Sequence, residues 1–492
     1  MPRPVYGMKV PALFLLSFGL AAQVSPPAYF VPSRLVPGIG LARRDLSAAD
    51  LEARTNLMIE SQTFAILRDS RALDGARRIT GDPKLHSIFV SAAAASHFPE
   101  TTLEAVAYLE SWGDPTAESP SGPKGIMQVS ESTARLMGLK IVHATRYHVT
   151  HDRVAVKTKS KRPKYRVVTH KQPYDVVIRD DRLSPARAIP AAAEYLASMQ
   201  RKFGALDWAI FAYHCGQGCA ARLLELARAA VPDSAETPTV ARMFFCANPV
   251  RNREIYETIQ KEMQRDYSPT YWFRVMRAEQ LLALYRRAPG EFESLAGEYR
   301  SDMVAGRAPH RLTVWISRSD LLFHTSEDIR SSLGERLLVT APERASWLGY
   351  TLMVPGSAAD REDRLKGAPA AIGALMYVAY ETRRLYDAME PQGAPFAPLP
   401  VTSLVEPEDY ARQLSEREAL SHISGQVFDI DDSTLPASET ECLRFVLDDL
   451  GWAGYLGFVD EGASTLHIGA APSARDFFAS VYAEAFAQQI SR

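Results

Sequence analysis

Apolar residues recur at helical spacing through most of the first 300 positions of the chain. The apolar positions within residues 47–80 include Leu51, Leu57, Ile59, Phe64 and Leu67. This spacing predicts a helix across 47–80, capped by Ser47. The stretch 86–139 predicts a helix, a loop and a second helix, and residues 185–230 and 253–300 predict further helices.

Alternating apolar and polar residues replace the helical spacing in other parts of the chain. Residues 143–182 alternate in this way and predict a β-hairpin or small β insertion. This insertion carries eleven Lys and Arg but four Asp and Glu, so it is either a solvated hairpin or a surface for an anionic polymer. Short β-like runs in 308–355 place a boundary near residue 305, and the Pro-rich stretch 391–400 is typical of a linker.

Length and charge limit the class of protein. A chain of 492 residues is too long for one ordinary core, and 56 basic against 58 acidic residues exclude a general affinity for nucleic acid. Residues 1–22 are typical of a signal peptide, since Arg3 and Lys9 precede a short apolar run at 10–24 that ends in small residues. We therefore expect an exported protein of the periplasm or cell envelope, without a stable membrane span after cleavage. An uncleaved anchor is the alternative.

The expected export makes a disulfide among the cysteines plausible, because disulfides form in oxidising compartments. Cys215, Cys219 and Cys246 lie close together in the sequence, whereas Cys442 is remote. We expect one disulfide among the first three, with the pairing left open. A metal site that includes His214 is less favoured, because the intervening glycines mark a turn and no fourth ligand is evident.

One acid, Glu110, lies where an apolar helical run ends, ahead of a polar loop that leads to Gly125–Gln128. A carboxyl group partly shielded from water has a raised pKa and can protonate a glycosidic oxygen. Most glycosidases add a second carboxylate. The nearby acids are Asp114 and Glu118, and neither is at a position that opposes Glu110. Glu110 is therefore either a surface acid or a catalyst.

This stretch resembles the catalytic segment of soluble lytic transglycosylases, whose fold is related to goose-type lysozyme. The matching positions are Glu110, Ser111, Pro115, Ala117, Ser119, Gly125, Ile126, Met127, Gln128, Thr133, Ala134 and Gly138. A second motif of that family corresponds to Ala212–Gly218, with His214 and Cys215 in place of Asn and Ala. The resemblance covers about residues 86–225.

The resemblance implies a mainly helical, lysozyme-like domain that needs no cofactor. Glu110 would be the single acid and base. It would protonate the glycosidic oxygen between N-acetylmuramic acid and N-acetylglucosamine and then deprotonate the C6 hydroxyl, which forms a 1,6-anhydro sugar. Ser111, Gln128, Tyr213 and His214 would bind substrate or support the cleft.

A second group of candidate residues lies near the end of the chain. His422, Asp429 and His467 could supply the three N and O ligands of a catalytic zinc site, with Glu461 or Asp460 as the base for a bound water. The alternative is a pair of histidines that are hydrogen-bonded within a packed domain.

Residues 396–475 resemble the zinc D-alanyl-D-alanine carboxypeptidases and hedgehog-like peptidases. The shared features are Ser421 and His422, Gly425, Asp429 and the later His467. Two features depart from the family's pattern: Ser421 is adjacent to the histidine, and Glu406 stands where the family often has a substrate-binding Arg. The resemblance implies a C-terminal domain that holds zinc and acts on, or binds, stem peptides.

Together these features predict a multidomain α+β protein that remodels peptidoglycan, with glycan strands and stem peptides as its partners. The expected order is a signal peptide (1–22), a helical N-terminal segment (23–85), a lytic transglycosylase domain (86–235), a helical extension (236–304), a mixed middle region (305–390) and a zinc-peptidase-like domain (396–492). A hydrolytic muramidase with Glu118 or Asp114 as second acid is one alternative. A catalytically silent cell-wall-binding scaffold is the other.

Overall fold

Helices predominate in this mixed α+β fold. The computed structural model describes the following residues: 29–41, 46–156, 164–230, 237–266, 268–304, 320–343, 346–408, 410, 422–460 and 465–490. The signal peptide expected over residues 1–22 lies outside these ranges. Among the helices that are described, none combines the length and apolar character needed to cross a membrane.

The first helices surround the segment that carries Glu110. They are α1 (Ala48–Leu67), α2 (Ala72–Gly81), α3 (Pro83–Ser96), α4 (Glu100–Ser111) and α5 (Glu131–Leu136). Ser47 caps α1 as predicted, by accepting from the backbone N–H of Asp50. The single helix expected across 47–80 is wrong, because the chain turns between α1 and α2, where the Asp69 carboxylate accepts from the backbone N–H of Arg71.

The next helices complete the helical half of the protein. They are α6 (Pro185–Phe203), α7 (Leu206–Cys215), α8 (Gln217–Ala230), α9 (Val240–Phe245), α10 (Arg253–Asp266), α11 (Tyr271–Arg287) and α12 (Pro289–Val304). Helix α6 packs on α3, and α11 packs on α4. The second of these contacts brings the start of α11 to the end of α4, where Glu110 lies.

The predicted β insertion is a long antiparallel hairpin of β1 (Ile141–Val156) and β2 (Lys164–Asp180). One irregularity in the pairing falls between Val142 and His143, at the base of the hairpin. The side chain of Asp181, just beyond β2, accepts from the backbone N–H of Lys140 at 3.1 Å and so closes the base.

The second half of the chain forms an α+β layer. Its elements are α13 (Ser326–Arg330), α14 (Gly334–Leu337), β3 (Val339–Thr340), β4 (Tyr350–Leu352), α15 (Ala358–Arg364), β5 (Lys366–Gly367), α16 (Pro369–Met389), β6 (Leu399–Ser403), β7 (Val427–Asp431), α17 (Ala437–Trp452), β8 (Leu456–Asp460), β9 (Thr465–Ala470) and α18 (Arg475–Ile490). The sheet has the order β4–β6–β7–β9–β8, in which only β4 and β6 are parallel neighbours. Helix α16 packs on α17 and α18.

Buried polar contacts join the helical half to the α+β half. Arg54 of α1 forms an ion pair with Asp449 of α17, and both side chains are buried. The same carboxylate accepts from the backbone N–H of Gly40 at 2.8 Å, and Asn248 donates to the Gly40 carbonyl at 2.8 Å. The apolar core also continues from one half into the other.

The expected disulfide is wrong. No disulfide joins Cys215, Cys219, Cys246 or Cys442. Cys215 ends α7 and Cys219 belongs to α8, and the chain breaks between them at Gly216, whose φ is +84°. The spacing in the sequence suited a covalent link, but these helices are held together by packing instead.

Candidate functional site

Glu110 lies in the last turn of α4, at the boundary between packed helix and loop. The helix ends where Trp112 adopts a left-handed conformation with φ of 55°. The side chains of α4 that precede Glu110 are mostly buried, whereas Glu110 itself is half-buried. The helix therefore holds Glu110 at the edge of the packed core.

Hydrogen bonds fix the shape of the loop that follows Glu110. The Ser111 hydroxyl donates to the Ile126 carbonyl at 2.8 Å. The side-chain amide of Gln128 donates to the carbonyls of Ala117 and Gly125 at 3.0 and 2.9 Å. Ser111 and Gln128, both predicted at the site, therefore brace the loop from its two ends.

The loop rests on the chain that leaves the hairpin. Gly125 has φ of +78°, and a Cβ atom there would lie 1.9 Å from the carbonyl oxygen of Arg182. The buried Arg182 guanidinium donates to the Val129 carbonyl at 3.1 Å and pairs with Asp180 at 2.7 Å. Only glycine allows this close approach, so the hairpin base and the loop form one unit.

Two tyrosines complete the surroundings of Glu110. The hydroxyl of Tyr213 donates to the Met127 carbonyl at 2.7 Å. The hydroxyl of Tyr271, the first residue of α11, donates to Glu110 Oε1 at 2.7 Å. The ring of His214 stacks on Tyr271 with 4.5 Å between centroids. The predicted Tyr213 and His214 therefore both belong to the surroundings of Glu110. Tyr213 contacts the loop that follows the acid, and His214 packs on Tyr271, which contacts the acid itself.

Sequence reasoning missed Tyr271. It lies 161 positions beyond Glu110, in a stretch that was expected to be helical but carried no functional prediction. An aromatic residue at the start of a helix is usually part of the core, and Tyr271 is itself buried. The periodicity of the sequence therefore held no signal that would have separated this tyrosine from its packed neighbours.

Burial controls the protonation of Glu110. Removal from water raises the pKa of Glu110 to about 7, although the hydrogen bond from Tyr271 and the charge of Arg274 act in the opposite direction. A carboxyl group with this pKa is partly protonated near neutral pH. It can therefore donate a proton and, once ionised, accept one.

The two acids of the loop that follows Glu110 are engaged within that loop. Asp114 accepts from both the backbone N–H and the hydroxyl of Thr116 at 2.8 Å. Glu118 is exposed and pairs with Lys124 at 3.0 Å. Their contacts turn them toward the loop surface, which favours a reaction with a single enzyme carboxylate.

The second candidate site lies in the C-terminal sheet. Asp429 of β7 is paired in register with His467 of β9, and its Oδ1 lies 2.7 Å from His467 Nδ1. His422, in the turn that precedes β7, places Nε2 3.1 Å from Asp429 Oδ2. All three residues are buried, and one ligand atom from each lies within 4.8 Å of the others.

The surroundings of this cluster suit a metal ligand set. His422 Nδ1 lies 2.6 Å from the Leu404 carbonyl, so the ring donates there and directs Nε2 toward Asp429. Glu461 and Ser421 lie outside the described residues, whereas the backbone of Asp460 ends β8. Glu406 stands where the resembled peptidases often have an arginine. Its carboxylate forms a buried ion pair with Arg364 of α15 at 2.8 Å, so a different part of the chain supplies an arginine near this position.

Comparison with known proteins concerns the Glu110 site. Residues 87–153 and 168–232 match the family model described as Transglycosylase SLT domain. The chain is 31% identical to peptidoglycan transglycosylase gp16 of Escherichia phage T7 over 132 residues, which are 27% of this chain and 8% of that protein. It is 44% identical to membrane-bound lytic murein transglycosylase F of Alcanivorax borkumensis over 99 residues, which are 20% of each. The chain thus spans well under two thirds of either relative.

Proposed function

We propose that this protein is a peptidoglycan lytic transglycosylase that acts in the cell envelope, where its substrate lies. The observation that carries the proposal is the half-buried Glu110, which has a pKa of about 7 and receives a hydrogen bond from Tyr271. The similarity to the transglycosylase domain and to two named transglycosylases supports the same activity.

The reaction needs one group that gives a proton and then takes one. Protonated Glu110 donates to the glycosidic oxygen as the bond to the anomeric carbon of N-acetylmuramic acid breaks. The resulting carboxylate accepts the proton of the C6 hydroxyl of the same sugar, and that oxygen bonds to the anomeric carbon. The products are a shortened strand and a 1,6-anhydro end, and Glu110 is protonated again. Tyr271 holds the carboxyl group in place during both transfers.

Mass spectrometry of the products from purified sacculi tests this proposal. The intact chain should release fragments with 1,6-anhydro ends, which are one water lighter than hydrolysed ends, and Glu110→Gln should release none. Glu118→Gln is the matched control and should retain activity. Hydrolysed ends that depend on Glu118 or Asp114 would instead indicate a muramidase. Binding to sacculi without any released fragment would indicate a scaffold.

We also propose a zinc site at His422, Asp429 and His467, because these three N and O donors converge within 4.8 Å. The second-sphere contact of His422 to Leu404 is typical of histidines that bind a metal. Bound zinc would supply a water of lowered pKa for attack on a stem-peptide bond. The protein's own contribution is to hold both imidazoles and the carboxylate in one buried cluster.

Zinc content of the purified chain tests the second proposal. Elemental analysis should find one zinc per chain, with loss of at least tenfold in affinity for the His422→Ala variant. His324→Ala is a matched control, because that histidine is exposed and pairs with Glu408. A chain without bound zinc, or with zinc that is unaffected by His422→Ala, would show that the cluster is a hydrogen-bonded part of the core.

A further inference from the structure

The β1–β2 hairpin exposes side chains on both of its faces. Strand β1 has 16 residues, so the hairpin extends over about 50 Å. Because side chains alternate along a strand, the odd-numbered residues of β1 share a face with the odd-numbered residues of β2. The aromatic face, as we name it, consists of Tyr147, Val149, Arg153, Tyr165, Val167 and Lys171.

Apolar and cationic side chains are interleaved on the aromatic face. Tyr147 is 56% exposed and Tyr165 60% exposed, and the two valines are similarly accessible. Arg153 and Lys171 are also exposed. Between the two tyrosines the described positions of this face hold no acidic residue. Such a surface suits a partner that combines broad apolar ring faces with carboxylates.

The opposite face of the hairpin differs in its charges. It carries Arg146 and Arg166, but also Asp152, which lies 3.4 Å from His170. Both arginines are exposed. Both faces therefore offer exposed arginine or lysine side chains, but only the aromatic face has two exposed tyrosines with no acid between them. The opposite face has one exposed tyrosine, Tyr174, which stacks on His148.

The hairpin is continuous with the wall of the Glu110 cleft. Arg182, two residues after β2, donates to carbonyls of the catalytic loop at Gly122 and Val129. Gly125 of that loop packs directly on the Arg182 carbonyl. A polymer held at Glu110 therefore lies beside the base of the hairpin.

The outer part of the hairpin is an addition to the transglycosylase pattern. The family match stops at residue 153 and resumes at 168. The interval includes Tyr165 and Val167 of the aromatic face. This part of the surface is thus a feature of this chain that the matched catalytic domain does not explain.

We propose that the aromatic face binds peptidoglycan outside the cleft. Tyr147 and Tyr165 pack against sugar rings, and Arg153 and Lys171 pair with the free carboxylates of stem peptides. The inference rests on the proposed substrate, and it adds a second hold on the polymer that does not involve Glu110. Peptidoglycan is favoured over a lipid surface because the hairpin base is fixed to the loop of the glycan cleft.

Cosedimentation with purified sacculi tests this inference, with the full chain carrying Glu110→Gln so that binding is measured without cleavage. In that background, Arg153→Glu with Lys171→Glu should raise the dissociation constant about tenfold. Tyr147→Ser with Tyr165→Ser should raise it by a similar factor. The matched control is Arg146→Glu with Arg166→Glu, which makes the same charge change on the opposite face and should stay within about twofold.

Two further probes identify the partner. Amidation of the carboxylates of sacculi should weaken binding of the parent chain. The loss should equal that caused by the Arg153→Glu with Lys171→Glu variant on untreated sacculi. Vesicles of phosphatidylethanolamine and phosphatidylglycerol should bind weakly and equally for all variants. Vesicle binding that depends on Arg153 and Lys171, together with unchanged binding to sacculi, would overturn the inference in favour of a membrane surface.

The outcomes separate this inference from the proposed activity. The inference fails and the activity stands if the intact chain forms 1,6-anhydro ends but the charge variant and the tyrosine variant of the aromatic face bind sacculi as tightly as their parent chain. If no anhydro ends form but binding still depends on the aromatic face, the activity fails and the inference stands. Equal losses for both charge variants would show a general charge effect and would also overturn the inference.

Discussion

The hydroxyl of Tyr271 donates a 2.7 Å hydrogen bond to Oε1 of Glu110, across 161 positions of sequence. This bond links the helical extension to the proposed catalytic acid. It stabilises the ionised carboxylate, and so it opposes the rise in pKa that burial causes. The relationship therefore leads to predictions on rate, pH dependence and stability.

Loss of the Tyr271 hydroxyl should slow the reaction and shift its pH profile. In Tyr271→Phe the ring remains to stack on His214, but Glu110 loses its donor, so we expect kcat to fall about 10- to 100-fold. The pKa of Glu110 should rise further, which moves the alkaline limb of kcat/KM to higher pH. Tyr285→Phe, on the same helix, is the control. A lower kcat with an unchanged alkaline limb would contradict a direct effect of Tyr271 on the pKa of Glu110.

Activity of the intact chain should fall as pH rises through about 7. Glu110 must be protonated to donate to the glycosidic oxygen, and its pKa is raised to about 7. A profile of kcat/KM against pH on a soluble glycan fragment measures this limb. An alkaline limb near the ordinary value of 4.5 would show that the carboxyl group is not shielded as described.

The same shift predicts how stability depends on pH. The folded state favours protonated Glu110, so this contribution is complete below pH 4.5 and is lost as pH rises through about 7. Glu110→Gln removes this pH dependence. The Tm of the variant minus the Tm of the parent chain should therefore increase as pH rises from 5 to 8. A difference in Tm that does not change over this range would contradict the prediction.

Replacement of Gly125 should disrupt the loop that follows Glu110. A Cβ at this position meets the Arg182 carbonyl at 1.9 Å, and φ is +78°, so Gly125→Ala should cost about 2–3 kcal/mol in free energy of unfolding and most of the activity. Gly122→Ala is the control, since φ is +104° but nothing lies within 4 Å. Chemical denaturation and the product assay measure both effects. Equal costs for the two variants would show that backbone strain alone matters.

Removal of Arg54 should weaken the joint between the two halves. Arg54→Ala removes the buried ion pair with Asp449, so we expect a loss of about 3–5 kcal/mol in free energy of unfolding. The double variant Arg54→Met with Asp449→Leu should recover part of this loss, because apolar side chains then replace both members of the buried ion pair. Denaturation curves for the three chains test it. A single variant as stable as the parent chain would show that water reaches this pair.

Sequence alone determined the features that depend on neighbours along the chain. The acid at the end of α4, the loop that contains Gly125 and Gln128, and the cap at Ser47 all follow from local spacing and residue chemistry. The alternation that predicted the β insertion is also local, and it was confirmed as the β1–β2 hairpin. Local patterns were enough here because they reflect hydrogen bonds and side-chain directions within one element.

Only the tertiary structure decided which distant segments meet. The placement of Tyr271 at Glu110 depends on the packing of α11 against α4, and the contact of Arg182 with Gly125 depends on how the hairpin leaves the loop. The expected disulfide failed for the same reason, since closeness in sequence does not set the geometry of two thiols. Such contacts result from the burial of many side chains at once, which no local period records.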